Sequence, residues 1–213
     1  MSRTHPGTLV TFEGGESAGK STQLAAIARL AHVRGLEVVT CREPGGTTFG
    51  ERLREALFGM DRAPSPTAEL LTFAAARAEL VANVIAPALA GGALVLCDRF
   101  TDSTLAYQGY GRGIDLQRIA AINEVATGGL CPNLTVLLDL PPTVGHARGV
   151  LRDGVDGADY VERETAAFHE RVREGFLALA AAEPTRWLVL DAALPAQEVT
   201  ELAWHRIGAL ISG

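Results

Sequence analysis

Between an apolar run and a helical one, residues 11–25 read TFEGGESAGKSTQLA. Gly14, Gly15, Glu16, Ser17, Ala18, Gly19, Lys20 and Ser21 match the pattern Gly-x-x-x-x-Gly-Lys-Ser without a gap. A strand-like run before it and a helical pattern after it supply the context this pattern requires. Its glycines let the loop turn tightly, so that successive backbone N–H groups face one anion. The N-terminus of the following helix adds a positive dipole. Lys20 reaches the β- and γ-phosphates of a bound nucleotide, Ser21 can ligate Mg²⁺, and Thr22 completes the ATP cradle. The bland alternative, a glycine-rich turn with an exposed lysine, does not account for the flanking strand and helix. A phosphate cradle alone names no reaction. The guanine-reading Asn-Lys-x-Asp is absent from the sequence, and the single cradle in a short chain favours a small-molecule kinase.

Two further stretches suit an acceptor. CDRFTDSTLAYQGYGRG, residues 97–113, follows the third apolar run. Asp98 falls where a Mg²⁺-holding carboxylate would lie beside the cradle, and Arg99 can grip a phosphate bidentately. Ser103, Tyr107 and Gln108 add neutral hydrogen-bonding groups suited to a sugar or base. In LLTFAAARAEL, residues 70–80, helical spacing puts Leu70, Val81, Val84 and Ile85 on one face. Arg77 falls within that apolar face, one turn after Phe73. A guanidinium there needs an anion or acceptors, because burying it unpaired is costly. Phe73 alone reads as a core aromatic; beside Arg77 it can stack on a base while the arginine hydrogen-bonds the base edge.

The elements that must position these groups follow from the alternation of short apolar runs and longer helical patterns. Strands are expected at Thr8 to Phe12, Glu37 to Cys41, Ala93 to Cys97, Thr135 to Leu138 and Trp187 to Leu190. Helices are expected at Ser21 to Val33, Thr48 to Phe58, Ala68 to Leu89, Leu116 to Ala126, Tyr160 to Ala182 and Ala196 to Ile211. The alternation predicts a five-stranded parallel sheet with helices on both faces, in one domain spanning 1–213. Charge gathers just after the strands, at Glu13, Arg42-Glu43, Asp98-Arg99, Asp139 and Asp191, the edge where open α/β sheets bind ligands. For Asp139 and Asp191 alone, a strand end meeting water suffices.

Composition narrows the classes. Among 213 residues, 47% are hydrophobic and 21% charged, which excludes a largely disordered chain. The net charge of −6 argues against a protein that coats nucleic acid, so a bound anion must be held by a local arrangement. Cys41, Cys97 and Cys131 form no Cys-x-x-Cys pair and read as reduced cytoplasmic thiols. The five histidines have no zinc-ligand spacing. The N-terminus lacks a signal-peptide stretch, and no window approaches the length of a membrane span.

In EGGESAGKST, REPGGTTFGERLR, FAAARAEL, DRFTDSTLAYQGYGRGID and LVLDA, the sequence resembles the bacterial thymidylate kinases, from near residue 8 to near residue 195. The resemblance implies a P-loop nucleoside-monophosphate-kinase fold and transfer from ATP·Mg²⁺ to dTMP, giving dTDP, in a homodimer. It implies that Phe73 stacks on thymine and Arg77 bonds its O4 edge. Arg99 would hold the acceptor phosphate and Tyr107 would close off the space of a 2′-hydroxyl, with Glu43 and Thr104 also on the substrate side. Glu16 matches the bacterial subgroup, in which this carboxylate faces the acceptor sugar and metal. That subgroup has no P-loop arginine and takes one from a mobile lid. The lid expected here is HARGVLRDGVDGADYVER, residues 146–163, with Arg148 and Arg152 one turn apart and Gly149, Gly154 and Gly157 allowing closure. The plainer reading of this segment is a solvated loop whose arginines pair with Asp153, Asp156 and Asp159. Ser17 stands where glycine is usual, Ser21 where threonine is commoner, and the segment carries fewer arginines than the subgroup's lid. Rival readings are a deoxynucleoside kinase, another nucleoside-monophosphate kinase, and a non-catalytic P-loop switch.

Overall fold

A computed structural model describes residues 6–60, 62–153 and 159–211, with the backbone alone at 152 and 153. Five strands, β1 (Thr8–Glu13), β2 (Val38–Arg42), β3 (Leu94–Asp98), β4 (Leu134–Asp139) and β5 (Trp187–Asp191), form one parallel sheet in the order β2-β3-β1-β4-β5. The three inner strands are almost wholly buried because both faces are covered. Val10 and Phe12 join Leu94, Leu96, Val136 and Leu138 in a core closed by α1 (Lys20–Val33) and α9 (Ala196–Ile211). The alternate residues Leu9, Val95 and Cys97 face Leu80, Ile85 and Leu89 on the other side. There α8 (Ala166–Ala182) packs Phe168, Val172 and Phe176 around Tyr107 and Leu137. Cys41 and Cys97 pair in register across β2 and β3, and both are free thiols.

Helix starts follow local chemistry. Thr47 Oγ1 accepts the Gly50 N–H at the start of α2 (Thr48–Phe58), and Ser65 precedes Pro66 at the start of α3 (Pro66–Leu80). Asp115 caps α6 (Leu116–Thr127), which ends at Gly128 with φ 62°. The helix expected from Ala68 to Leu89 is one continuous rod from Pro66, but it passes through a π-helical turn at Val81–Ile85 into α4 (Ala86–Ala90). Pro87 has no N–H for the Asn83 carbonyl and its ring would crowd it, so the widened turn relieves the clash. This rod corrects the expectation about membrane-length segments: Pro66–Ala90 has 25 residues and contains an 18-residue stretch of mean hydropathy 1.4, enough to span a bilayer by length and composition alone. It buries Glu69 and Arg77 against partners from other elements, as a core helix does.

Three boundaries differ from the sequence expectation. Thr101–Gly111, where no helix was expected, is helical, as α5 (Thr101–Thr104) followed by π-helical turns. Its glycines permit close approach: a Cβ on Gly109 would lie 2.4 Å from Leu116 Cδ2, and one on Gly111 2.6 Å from Phe168 Cε2. Residues 146–153 belong to α7 (Pro142–Asp153), whose Gly145 lets the helix pass within contact of the Glu16 carbonyl. The helix expected from Tyr160 starts at Ala166. The Asp159 carboxylate turns the chain by accepting from the N–H groups of Val161 and Glu162, and Thr165 supplies the cap. Gly154 and Gly157 lie outside the described residues.

Candidate active site

The loop between β1 and α1 wraps tightly over the carboxyl edge of the sheet. Gly14 (φ 142°) has no room for a Cβ, which would meet the Leu138 carbonyl oxygen at 2.5 Å, and Gly19 (φ 97°) opens α1. Ser17 also sits at positive φ (55°), so its replacement of the usual glycine carries backbone strain. Lys20 folds back over the loop, donating from Nζ to the carbonyls of Gly15 (2.8 Å) and Gly14 (3.2 Å). Burial, then the nearby Arg99 guanidinium, lower its pKa to about 8. Phosphate oxygens arriving at the loop would favour its charged form and raise the pKa again. Ser21 Oγ donates to Asp98 Oδ2 at 2.7 Å, which brings the hydroxyl and the carboxylate expected beside a metal into contact.

On the other side of Glu16 lies an open cleft. It is lined by Glu43, Phe73, Arg77, Arg99, Ser103, Thr104, Tyr107 and Gln108, so the expected substrate-side residues meet in one place. Arg99, itself at φ 68°, is the hub. Its Nη1 donates to the Gly14 carbonyl and Ser103 Oγ, both at 3.1 Å, and its Nη2 to Glu16 Oε1 (2.7 Å) and the Tyr107 hydroxyl (3.1 Å). The Tyr107 O–H donates to the same Glu16 oxygen at 2.7 Å. Burial works against the charged form of Glu16, but Arg99, Lys20 and the tyrosine overcome it and hold its pKa at about 2. Glu16 is therefore an anion at neutral pH and has no proton affinity to spend as a base. An arriving phosphate must displace some of the groups that now occupy Arg99.

Arg77 is 1% exposed, and its charge is met within the protein. Glu43 accepts from Nε and Nη2, the closest contact being 2.6 Å. Phe100 O and Thr104 Oγ1 also accept from Nη2, and Asn123 Oδ1 accepts one hydrogen of Nη1 at 2.7 Å. Glu43 is the anion that the apolar face of α3 required. Gln108 donates to Glu69, which also pairs with Arg112. Arg54 and Phe58, in cation–π contact at 4.8 Å, line the cleft with Asp159 and were not singled out by sequence reasoning. Their i, i+4 spacing is the one that drew attention to Phe73 and Arg77.

Arg148, on α7, donates from Nη1 to the Ala192 carbonyl (3.1 Å) after β5, away from the cleft. The side chain of Arg152 lies outside the described residues. The strand-end carboxylates expected to be ordinary have ordinary partners: Asp139 takes a bidentate pair from Arg173, and Asp191 accepts the Ala193 N–H.

The geometry is a phosphate cradle joined through Glu16 and Arg99 to a pocket with an aromatic wall and a guanidinium. Residues 12–203 match the family model described as Thymidylate kinase. The chain belongs to the thymidylate kinase family. It is 53% identical over 196 residues to a thymidylate kinase of Synechococcus sp. strain JA-2-3B'a(2-13), covering 92% of each chain. It is 48% identical over 204 residues to one of Dehalococcoides mccartyi, covering 95% of this chain and 97% of the relative. Its fold is similar to the crystal structure of thymidylate kinase from Ehrlichia chaffeensis, with a TM-score of 0.76 and 33% identity over 95% of this chain and 99% of that one.

Proposed function

We infer that the protein is a dTMP kinase, transferring the γ-phosphoryl group of ATP directly to dTMP and giving dTDP. The observation that carries this reading is that a base-sized cleft opens onto the P-loop in a chain of this family, with Glu16 and Arg99 shared between the two. ATP occupies the loop 14–22 with Lys20 on its terminal phosphates. Thymine stacks on Phe73 and takes the second hydrogen of Arg77 Nη1 at its O4, while Thr104 and Gln108 fill out the base site. Arg99, eased off Glu16, holds the acceptor phosphate. Tyr107 stands over the sugar, where a 2′-hydroxyl would clash.

The second ionisation of a phosphate monoester lies near pH 6, so dTMP at neutral pH brings its own nucleophilic oxygen. No general base is needed, in keeping with the low pKa of Glu16. The protein's work is positioning and charge neutralisation. Ser21 and Asp98 would hold Mg²⁺: one hydroxyl and one carboxylate suit an ion that keeps phosphates and waters as its other ligands. An ion held there would supply positive charge to neutralise the nucleotide's phosphates. The segment 146–163 acts as the lid, with Arg152 as the arginine delivered to the moving group and Arg148 behind it.

The same reading makes the protein a cytoplasmic homodimer without nucleic-acid or membrane partners. Its support is the net charge of −6, the free thiols facing each other across β2 and β3, and the exposed Leu71 and Val125 on α3 and α6. A ³¹P NMR time course of ATP, Mg²⁺ and dTMP with the enzyme tests the reaction: dTDP resonances should grow in step with ADP. ADP accompanied by inorganic phosphate alone would overturn it.

A further inference from the structure

The mechanism above leaves unused a carboxyl group directly beneath the acceptor site. Glu13, the last residue of β1, is 0% exposed. Its Oε1 accepts the N–H groups of Phe100 (2.8 Å) and Ser103 (3.3 Å), and its Oε2 lies 2.5 Å from Ser103 Oγ. Ser103 Oγ in turn receives Arg99 Nη1 and lines the acceptor cleft. A serine hydroxyl has one hydrogen and two lone pairs. If Glu13 is ionised, Ser103 must donate its hydrogen downward to Oε2, and nothing remains for a ligand. If Glu13 carries a proton on Oε2, that proton is donated to Ser103 Oγ. Arg99 fills the second lone pair, and the serine hydrogen turns into the cleft.

We propose that Glu13 is a positioning residue for phosphoryl-acceptor binding, and that its neutral form aims the Ser103 hydroxyl at the acceptor's phosphate. This rests on the cleft being the acceptor site. The charged groups around Glu13 act in both directions: Asp102 favours its neutral form, whereas Arg99 and Lys20 favour the anion. Asp102 approaches it from α5, itself held by Arg186 and Thr135; Arg99 and Lys20 act from the β3–α5 connection and the P-loop, and the Cys97 thiol from β3. Burial, then Asp102, push the carboxyl up to about 8 against the opposing pull of the Ser103 hydrogen bond and Arg99. A phosphate dianion bound above would push it higher still, so binding draws a proton onto Glu13.

Isothermal titration of dTMP at pH 8, in buffers of different ionisation enthalpy, counts that proton. The wild type should take up about half a proton per dTMP more than Glu13→Gln, because a group of pKa about 8 is half ionised before binding. In steady state, KM for dTMP should rise about tenfold from pH 7 to pH 9 in the wild type, as the competent fraction falls. In Glu13→Gln the rise should be absent, because the amide donates at every pH. Ser103→Ala should raise KM at pH 7 and show no further rise to pH 9. Equal proton uptake by the wild type and Glu13→Gln, or a tenfold rise persisting in Glu13→Gln, would overturn the proposal. Should Glu13→Gln not fold, a full tenfold rise in Ser103→Ala does so instead. Failure of the wild type to bind dTMP at any pH would instead contradict the acceptor assignment beneath it.

Discussion

Lys20 and Glu13 lie in one buried site, and the same burial acts on them in opposite directions. It lowers the lysine's pKa and raises the glutamate's, to about 8 in each case, since both lose by being charged out of water. For Lys20 the functional consequence is direct. Lys20→Ala should cost at least about 1.5–3 kcal/mol of transition-state stabilisation and leave little transfer. Retention of more than a tenth of wild-type turnover by a folded variant would remove Lys20 from the mechanism. For Glu13 the consequence is also thermodynamic. Its folded pKa lies above the unfolded value near 4.3, so the native state binds the extra proton and loses stability as pH rises between the two. Relative to Glu13→Gln, the wild type should lose about 1.4 kcal/mol per pH unit between roughly pH 5 and pH 8, measured by urea denaturation. Equal slopes would mean that Glu13 is ionised in the fold. Phe73→Ala should weaken dTMP binding by about 1–3 kcal/mol through lost stacking while leaving ATP affinity unchanged. A parallel loss of both affinities would make Phe73 a core residue. The residue types at these positions were legible in the sequence, but their mutual partners were not. Spacing places Arg77 on an apolar face without saying that Glu43, from the end of β2, would meet it.

At the scale of elements, the strands and most helices could be read within a residue or two, because buried parallel strands are short apolar runs bounded by charge. Two of the exceptions share one cause. Glycine in Thr101–Gly111 and in α7 looks like loop punctuation, yet it serves helices that pack too closely for a Cβ. Which role a glycine plays depends on its tertiary neighbour, and local sequence does not contain that neighbour. The π-helical turn before Pro87 has a local cause instead, the missing N–H and the ring of that proline. The tie between α3 and β2 yields a prediction. Glu43→Gln leaves the Arg77 guanidinium buried without its anion and should destabilise the fold by about 3–5 kcal/mol, read from denaturation midpoints. A loss under about 1 kcal/mol would show that Asn123, Phe100 O and Thr104 suffice. The lid carries its own test. The P-loop has no arginine, and one supplied during transfer is worth roughly 10³–10⁵ in rate. Arg152→Ala should therefore lower kcat at least about a hundredfold with little change in dTMP affinity, and Arg152→Lys should recover only part of it. Arg148 reaches the Ala192 carbonyl, so Arg148→Ala should have the smaller effect on kcat. If neither changes kcat more than a few-fold, Arg99 or Arg42 must supply the charge.

For the molecule as a whole, the sheet order β2-β3-β1-β4-β5 brings distant segments to one edge. The P-loop after β1 comes to lie against Asp98 and Arg99 after β3, separated from it by some eighty positions in sequence. No local pattern contains that juxtaposition, although the clustering of charge at strand ends pointed to the right edge. It is this topology that makes donor and acceptor sites continuous through Glu16 and Arg99. We propose that this continuous site takes a thymine nucleotide that already carries a phosphate. The measurement that meets it most directly is ADP release from ATP and Mg²⁺ across a panel of nucleosides and nucleoside monophosphates, compared by kcat/KM. A phosphate held by Arg99 in a desolvated site is worth at least about 3 kcal/mol, so dTMP should exceed thymidine by more than about a hundredfold. If Tyr107 closes off the 2′ position as proposed, dTMP should also exceed the ribonucleotide and purine monophosphates. Turnover of thymidine comparable to that of dTMP, or a purine monophosphate as the preferred acceptor, would contradict the account.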